Sequence, residues 1–343
     1  MRHAECGMRN EIGAARGVFT VTDETSKEHS EFPGPPSDAQ AGAGRIPNSA
    51  LRHTPVLLRE VLEWLAPKPN MTIVDCTMGG GGHSAAIVPR LMPDGRLIAM
   101  DCDEQALEAA KARLVEFAPK VAYVHRNFRD LPTVLAQLGC ARIGGLLADL
   151  GMSSLQLDDP QRGFSFSREG PLDMRLDLRQ PMTATSLIRQ SSQRQLVDLF
   201  RDYGEERWAE RIARRIVETR KRQPLDTTLQ LARLVEEAVP RGASRRIHPA
   251  TRIFQALRIA VNDELGALRE LLSVLPDILA PGGRAAILTF HSLEDRLVKQ
   301  AFRQGAQAGR LRVLTKKPVR PSAEEAAANP RSRSAKLRAA ERP

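Results

Sequence analysis

Apolar and polar positions follow two rhythms along this chain. Residues 72–77, TIVDCT, form a short β-branched run that enters four glycines, Gly79 to Gly82. HSAAIVPRL (83–91) then reads as a helix, and GRLIAMD (95–101) as an apolar strand ending on Asp101. EQALEAAKARLVEF (104–117) combines helical spacing with strong helix formers. VAYVH (121–125) and IGGLLADLG (143–151), the latter carrying Asp149, predict two further strands. Strands alternating with helices in this way predict an α/β fold with a parallel sheet covered by helices.

The rhythm changes at about residue 160. No strand pattern appears up to 248, whereas 206–223 and 227–239 are amphipathic helices. Residues 251–279 predict a long helical stretch broken near Pro276, followed by a strand over 282–291 and another helix. The tail, RLRVLTKKPVRP and RSRSAKLRAAERP, can supply one or two last strands. Residues 1–46 are rich in Gly, Pro, Ser and acidic residues without either rhythm. They predict a disordered extension, or residues ahead of the true start. The expected organisation is therefore a discontinuous domain, 47–157 and 249–343, interrupted by a helical insertion, 158–248.

Composition narrows the class. Of 343 residues, 42% are hydrophobic, enough for a buried core, and only 4% are aromatic, so that core is mostly aliphatic. The four cysteines form no CxxC pair, so neither a disulfide framework nor a zinc site is suggested. No apolar run is long enough to span a bilayer, and the N-terminus lacks a secretory apolar region. These features fit a cytoplasmic protein with no membrane partner. The net charge of +10 is unevenly spread: residues 160–248 carry +6 and 303–343 carry +8, whereas 51–159 carry −2. Such an arrangement suits a phosphate-rich partner, or is a solvated basic surface. In the first case, arginines such as Arg214, Arg215 and Arg222 would hold an RNA backbone.

A strand turning through glycines into a helix lets backbone approach a ligand, and an acidic residue about 20 positions on can bind a ribose hydroxyl. Asp101 fits that position. No Gly-Lys-Ser/Thr follows, so the turn is not a Walker loop. Asp75 precedes the glycines, where a carboxylate would repel a pyrophosphate but could accept from a cationic amino-acid group. The spacing Asp75, Thr77, Gly79, Gly81 also resembles the methyltransferase pattern D-x-G-x-G-x-G, with threonine for its first glycine. Both features favour S-adenosyl-L-methionine over a nicotinamide cofactor. A purely structural turn is the simpler alternative.

Three further constellations follow. In ADLGMSSLQLDDPQRGFSFSREGPLDMR (148–175), Asp149 ends a strand at the sheet edge where α/β folds bind ligands. Phe164 and Phe166 either anchor the loop or stack on a base. In HPATRIFQALRIAVNDEL (248–265), Phe254, Leu257 and Val261 share a core face, and Arg252, Arg258 and Asn262 suit caps or ion pairs. In LTFHSLEDR (288–296), Ser292 is a plausible N-cap with Asp295 completing a capping box, and His291 could line a pocket.

Together with HTPVLLREVL, YGEERWAERIARRIV and NPRSRSAKLRAAER, these ordered blocks closely resemble the bacterial ribosomal small-subunit methyltransferase H family, the MraW type, from about residue 52 to the C-terminus. The resemblance implies a Rossmann-like S-adenosylmethionine-dependent methyltransferase sheet with an inserted all-helical subdomain. It implies N4-methylation of a cytidine in the decoding region of 16S rRNA, with the small ribosomal subunit as partner. It also implies cofactor contacts from Gly81, Gly82, His83, Asp101, Phe128, Asp149 and Gln156. Cytosine N4 is a poor nucleophile whose lone pair is delocalised, so an acceptor for its N–H is expected; Asp149 and Asn262 are the catalytic candidates. A nicotinamide-dependent oxidoreductase and a non-catalytic RNA-binding assembly factor are the rival readings. The oligomeric state stays open, a homodimer included.

Overall fold

The computed structural model describes residues 55–240 and 247–343; the expected N-terminal extension, 1–46, lies outside the described residues. After α1 (Leu58–Leu65), strands β1 (Thr72–Asp75), β2 (Arg96–Asp101), β3 (Val121–His125), β4 (Ile143–Asp149) and β5 (Leu279–Thr289) pair in parallel. The tail supplies both expected strands. β6 (Arg312–Val313) and β7 (Lys336–Glu341) close a seven-stranded sheet of order β3-β2-β1-β4-β5-β7-β6, with β7 antiparallel to its neighbours. The chain lays β2 and β3 on one side of β1, then returns to place β4 on the other. The carboxyl ends of β1 and β4 thus flank a topological switch point, where open α/β sheets form ligand crevices.

The strands alternate their burial between two apolar layers, as a period of two requires. Ile73, Leu97 and Leu147 pack on one face with α1, α2 (Gly82–Ile87) and α3 (Glu104–Arg113). Val74, Ile98 and Leu146 pack on the other with α4 (Leu131–Gln137), α11 (Glu264–Ile278) and α12 (Ser292–Gln307). Covered on both faces, these strands read as near-continuous apolar runs. This is the expected Rossmann-like sheet.

Between β4 and β5 the chain builds α5 (Ser154–Asp158), then α6 (Ala184–Gln190), α7 (Gln193–Asp202), α8 (Ala209–Arg220) and α9 (Thr228–Ala238). Helices α6, α7 and α9 open with capping boxes, Thr183 with Ser186, Ser192 with Gln195, and Thr227 with Gln230. Leu196, Phe200, Ile212, Ile216, Leu231 and Val235 form a separate helical core. This core continues past residue 248, because α10 (Ala250–Asn262) turns Ile253, Phe254, Leu257 and Val261 into it at helical spacing. Phe164 is buried in the same core, and Phe166 packs on His248 and Phe254, at 4.6 and 4.9 Å between ring centroids. Both phenylalanines therefore anchor their loop.

The long helical stretch breaks at Asp263, not near Pro276. Asp263 takes a left-handed backbone, φ 47°, and Arg129 fixes it by donating to its carbonyl (3.2 Å) and carboxylate (2.8 Å). Pro276 is accommodated inside the last turn of α11.

Candidate active site

The glycines after β1 answer to different demands. Gly79 and Gly81 have φ of 49° and 74°, a region that side chains strain to adopt. Gly81 sits at the N-cap of α2. A Cβ on Gly82 would lie 2.7 Å from Cγ of Pro55, whereas one on Gly80 would meet no atom of the described residues within 4 Å. The Gly79 amide donates to Asp101 at 2.8 Å, which ties the turn to the end of β2; the second Asp101 oxygen accepts from the Asp103 amide at 2.9 Å. Burial pushes the Asp101 carboxyl up to about 6.

Asp75 does something other than await a cationic ligand. It is buried, and its oxygens accept from Ser84 Oγ (2.6 Å) and the Thr77 amide (3.2 Å). Burial raises its pKa. Its role is to fix the turn from within.

At the end of β4, the Asp149 amide donates to Thr77 Oγ1 at 2.6 Å. Asp149 Oδ2 lies 3.6 Å from His83 Nδ1. Nε2 of His83 is 3.0 Å from the Val56 carbonyl, which assigns the proton to Nε2 and leaves the Nδ1 lone pair toward Asp149. Burial lowers the His83 pKa, consistent with a neutral ring. Among the described residues, Asp149 Oδ1 is buried without a hydrogen-bond partner. Burial, and then the charge of Glu294, push the Asp149 carboxyl up to about 7.

Glu294 owes its position to the start of α12. The cap there is His291 with Glu294 as its reciprocal partner, in place of the expected Ser292 and Asp295, because β5 ends at Thr289 and Ser292 is already helical. Glu294 accepts from the Phe290 amide (2.8 Å) and lies 3.1 Å from His291 Nε2. Burial pulls Glu294 upward, but His291 and the Arg258 charge together hold it below its ordinary value. Ser292 instead donates to Glu205, and Asp295 pairs with Lys336 and Arg338 of β7.

The opposite wall is a buried polar knot. Gln156 completes a capping box with Ser153 and donates to Asp103 at 2.7 Å. Arg162 donates to the same Asp103 oxygen at 2.6 Å and to the carbonyls of Arg175 and Leu176. Phe128, half-buried, opens the turn after β3, which Asn127 caps by accepting from the Arg129 amide. Asn262 is engaged fourfold. Its oxygen accepts from the Leu176 amide (2.7 Å) and Gln180 Nε2 (2.8 Å), and its nitrogen donates to the carbonyls of Met174 (2.7 Å) and Arg258 (2.9 Å).

Gly82, His83, Asp101, Phe128, Asp149, Gln156 and Asn262 all border one cavity of about 240 Å³ at the switch point; Gly81 shapes the turn without bordering it. Gly80, Glu264, Glu294 and Arg331 border it too and were not among the expected residues. For Glu294 the signal was present, one residue out of register, in the capping pattern of HSLED. Arg331 reaches the cavity from the tail and pairs with Asp158 at 2.5 Å, a contact across 173 residues that no local pattern encodes. Carboxylates beside an aromatic ring, one with an orphaned oxygen, suit a cofactor bearing positive charge and a base. They oppose a pyrophosphate.

Comparison with known proteins follows the same line. The MraW methylase family matches residues 50–343. Ribosomal RNA small subunit methyltransferase H of Symbiobacterium thermophilum is 48% identical over 306 residues, spanning 84% of this chain and 96% of that protein. The proteins of the same name from Geobacter sulfurreducens and a Cyanothece species are 48% and 51% identical, each over 84% of this chain and over 98% and 94% of their own lengths.

Proposed function

The chain belongs to the MraW methylase family and is an S-adenosylmethionine-dependent methyltransferase; on that premise we propose that it methylates N4 of one cytidine in the decoding region of 16S rRNA. Its substrate is then the small ribosomal subunit, and it works in the cytoplasm. Among the described residues, no helix is long and apolar enough to cross a membrane.

The observation that carries the reading is Asp149. Among the described residues its Oδ1 is buried and unpartnered, and Asp149 borders the switch-point cavity. When bound, S-adenosylmethionine supplies a methyl group already activated on a sulfonium. The protein's task is to align the acceptor, keep water out and draw off the acceptor's proton. Asp149 Oδ1 accepts an N4–H, which localises the nitrogen lone pair for attack; the proton released on methylation passes to this carboxylate. A carboxyl poised at about 7 is suited to that exchange. Neutral His83 turns its Nδ1 lone pair to the other side of Asp149 and offers it no proton there, and this, with buried Glu294, keeps the carboxylate basic.

For the cofactor, Asp101 would hold the ribose, Phe128 would pack against the adenine, and the backbone at Gly80 and Gly82 would face the methionine end; all four border the cavity. Gln156 shapes the wall, its amide already bound to Asp103 and Ser153. Asn262 acts by holding segment 174–180 rather than by touching the acceptor, since both its polar atoms are fully engaged. The target base must leave its stack to enter.

The test is transfer of a radiolabelled methyl group to small subunits lacking the modification, with the labelled nucleoside identified by mass spectrometry. Label in N4-methylcytidine supports the reading. Label in another nucleoside reassigns the acceptor. No label, despite measured cofactor binding, points to an assembly factor.

A further inference from the structure

We propose that the groove between α7 and α8 binds the phosphate backbone of a single-stranded RNA segment, a contact separate from the methyl-transfer cavity. The choice of RNA as ligand rests on the function proposed above; the groove's anion-binding character does not.

The groove is lined by Arg194 and Arg201 of α7, Arg207 and Trp208 at the entry to α8, and Arg211 and Arg214 of α8. Arg211 and Arg214 are one turn apart on α8, and Arg207 lies in the turn just before it. Among the described residues, Asp198 and Glu210 are the only acids lining it. Glu210 is taken by Arg201 in an exposed pair, 2.6 Å, that bridges the two helices. Among the described residues Arg194, Arg211 and Arg214 have no ion-pair partner, and the Arg207 guanidinium lies over the Trp208 ring, 5.1 Å from its centroid. Like charges at this spacing repel and weaken a helix. Five arginines against two acids leave the groove with an excess of positive charge, which fits a surface whose counter-charge arrives with a partner.

The form of the charge selects phosphate. Guanidinium forks match phosphate oxygens bidentately. Spread along two helices, they track a strand rather than enclose a small anion. Trp208, half-buried against the helical core with the Arg207 guanidinium over its ring, borders the groove and so reports on its occupancy. Of the three arginines suggested by sequence, only Arg214 lines the groove. Arg215 reaches Glu237 at 3.5 Å, and Arg222 follows the end of α8.

The chain has two tryptophans, Trp64 and Trp208. The full-length Trp64→Phe protein therefore reports on Trp208 alone. It is titrated with a short single-stranded oligocytidylate, without any methyl-transfer step, so failure of the catalytic reading and failure of this one are distinguishable. The expected result is a saturable change in Trp208 emission. The triple change Arg207→Gln, Arg211→Gln, Arg214→Gln should weaken binding at least about tenfold and lower the salt slope by about 2, at about 0.7 per lost contact. Its thermal unfolding and cofactor binding should stay unchanged. Arg222→Gln, outside the groove, should bind like the parent. Unchanged affinity and salt slope in the triple variant would overturn the proposal. So would weaker binding to whole small subunits with no loss toward the free oligonucleotide, which would make the partner a ribosomal protein.

Discussion

Thr77 and Asp149 meet across the switch point, the threonine Oγ1 accepting the aspartate amide at 2.6 Å. The contact joins the carboxyl ends of β1 and β4, so the residue that stands where the common methyltransferase pattern has glycine also sets the position of the proposed acceptor. Thr77→Val keeps the shape and removes the oxygen, leaving a buried amide unpaired. A loss of about 1–3 kcal/mol is expected in urea unfolding, with a fall in kcat. Thr77→Ser should recover most of both.

Protonation of Asp101 and Asp149 should govern cofactor binding. Both carboxyls are raised from 3.8 by burial, to about 6 and about 7. Between 3.8 and those values the folded chain holds protons that the unfolded chain has released, so these groups make stability fall as pH rises through that window. A cationic cofactor favours the ionised forms, so its affinity should rise with pH up to about 7 and binding should release protons. Calorimetry in buffers of different ionisation enthalpy measures that release directly. Asp149→Asn should abolish the part of the rise nearest 7; a pH-independent affinity in the parent chain would exclude the linkage.

Much of this arrangement was legible beforehand, and what was not has a physical reason. The strand ends at Asp101 and Asp149 and the glycine turn were readable because periodicity and local turn chemistry act over a few residues. The Asp103–Arg162 contact joins residues 59 apart, and Arg331 reaches the cavity from still further away; neither leaves a periodic trace. The partners of Asn262 were hidden for a related reason. A polar residue ending an apolar helix looks available until the loop that consumes its hydrogen bonds is seen. The helix break moved to Asp263 because Arg129, distant in sequence, stabilises a left-handed aspartate, whereas Pro276 fits within the final turn of α11.

Arg162 and Asp103 form an ion pair whose side chains are 5% and 4% exposed. Removing one partner strands a buried charge, so Arg162→Met should destabilise the chain by about 3–5 kcal/mol. Asp103 caps α3 and also holds Gln156, so the cofactor wall should loosen with it. The double variant Arg162→Met, Asp103→Asn should lose less than the sum of its parts. A double-mutant cycle on unfolding free energies measures that coupling.

Asp149 and Asn262 should separate kinetically. Asp149→Asn keeps size and an acceptor oxygen but removes the charge and the proposed base's capacity to take the proton, and should lower kcat by about 100-fold or more, the scale of general-base removal. Asn262→Asp keeps the acceptor oxygen but loses the donations to the Met174 and Arg258 carbonyls. Segment 174–180 should loosen, raising KM for the RNA substrate and lowering stability by about 1–3 kcal/mol, with kcat changed far less. Turnover preserved in both variants, with cofactor binding unchanged, would remove both residues from the reaction.

The glycine run allows ligand demands to be separated from folding demands. At Gly82 an added methyl group meets Pro55 Cγ at 2.7 Å, and at Gly79 and Gly81 the backbone itself resists a side chain. Alanine at any of these should cost stability before any ligand is considered. Gly80 differs: it borders the cavity, and a Cβ there meets no atom of the described residues within 4 Å. Folding therefore gives no reason for glycine at this position, but a ligand lying over the backbone does. Gly80→Ala should unfold at the parent temperature or slightly above, since it restricts the unfolded chain. Its affinity for S-adenosylmethionine should nevertheless drop by about 1–3 kcal/mol, the cost of forcing a methyl group into a filled space. That corresponds to about 5- to 150-fold in Kd. Thermal unfolding with and without cofactor reads both quantities in one experiment, because the ligand-induced rise in Tm shrinks when affinity falls. An unchanged rise would mean that the cofactor does not pass over Gly80, and the placement of its methionine end against this turn would have to be abandoned.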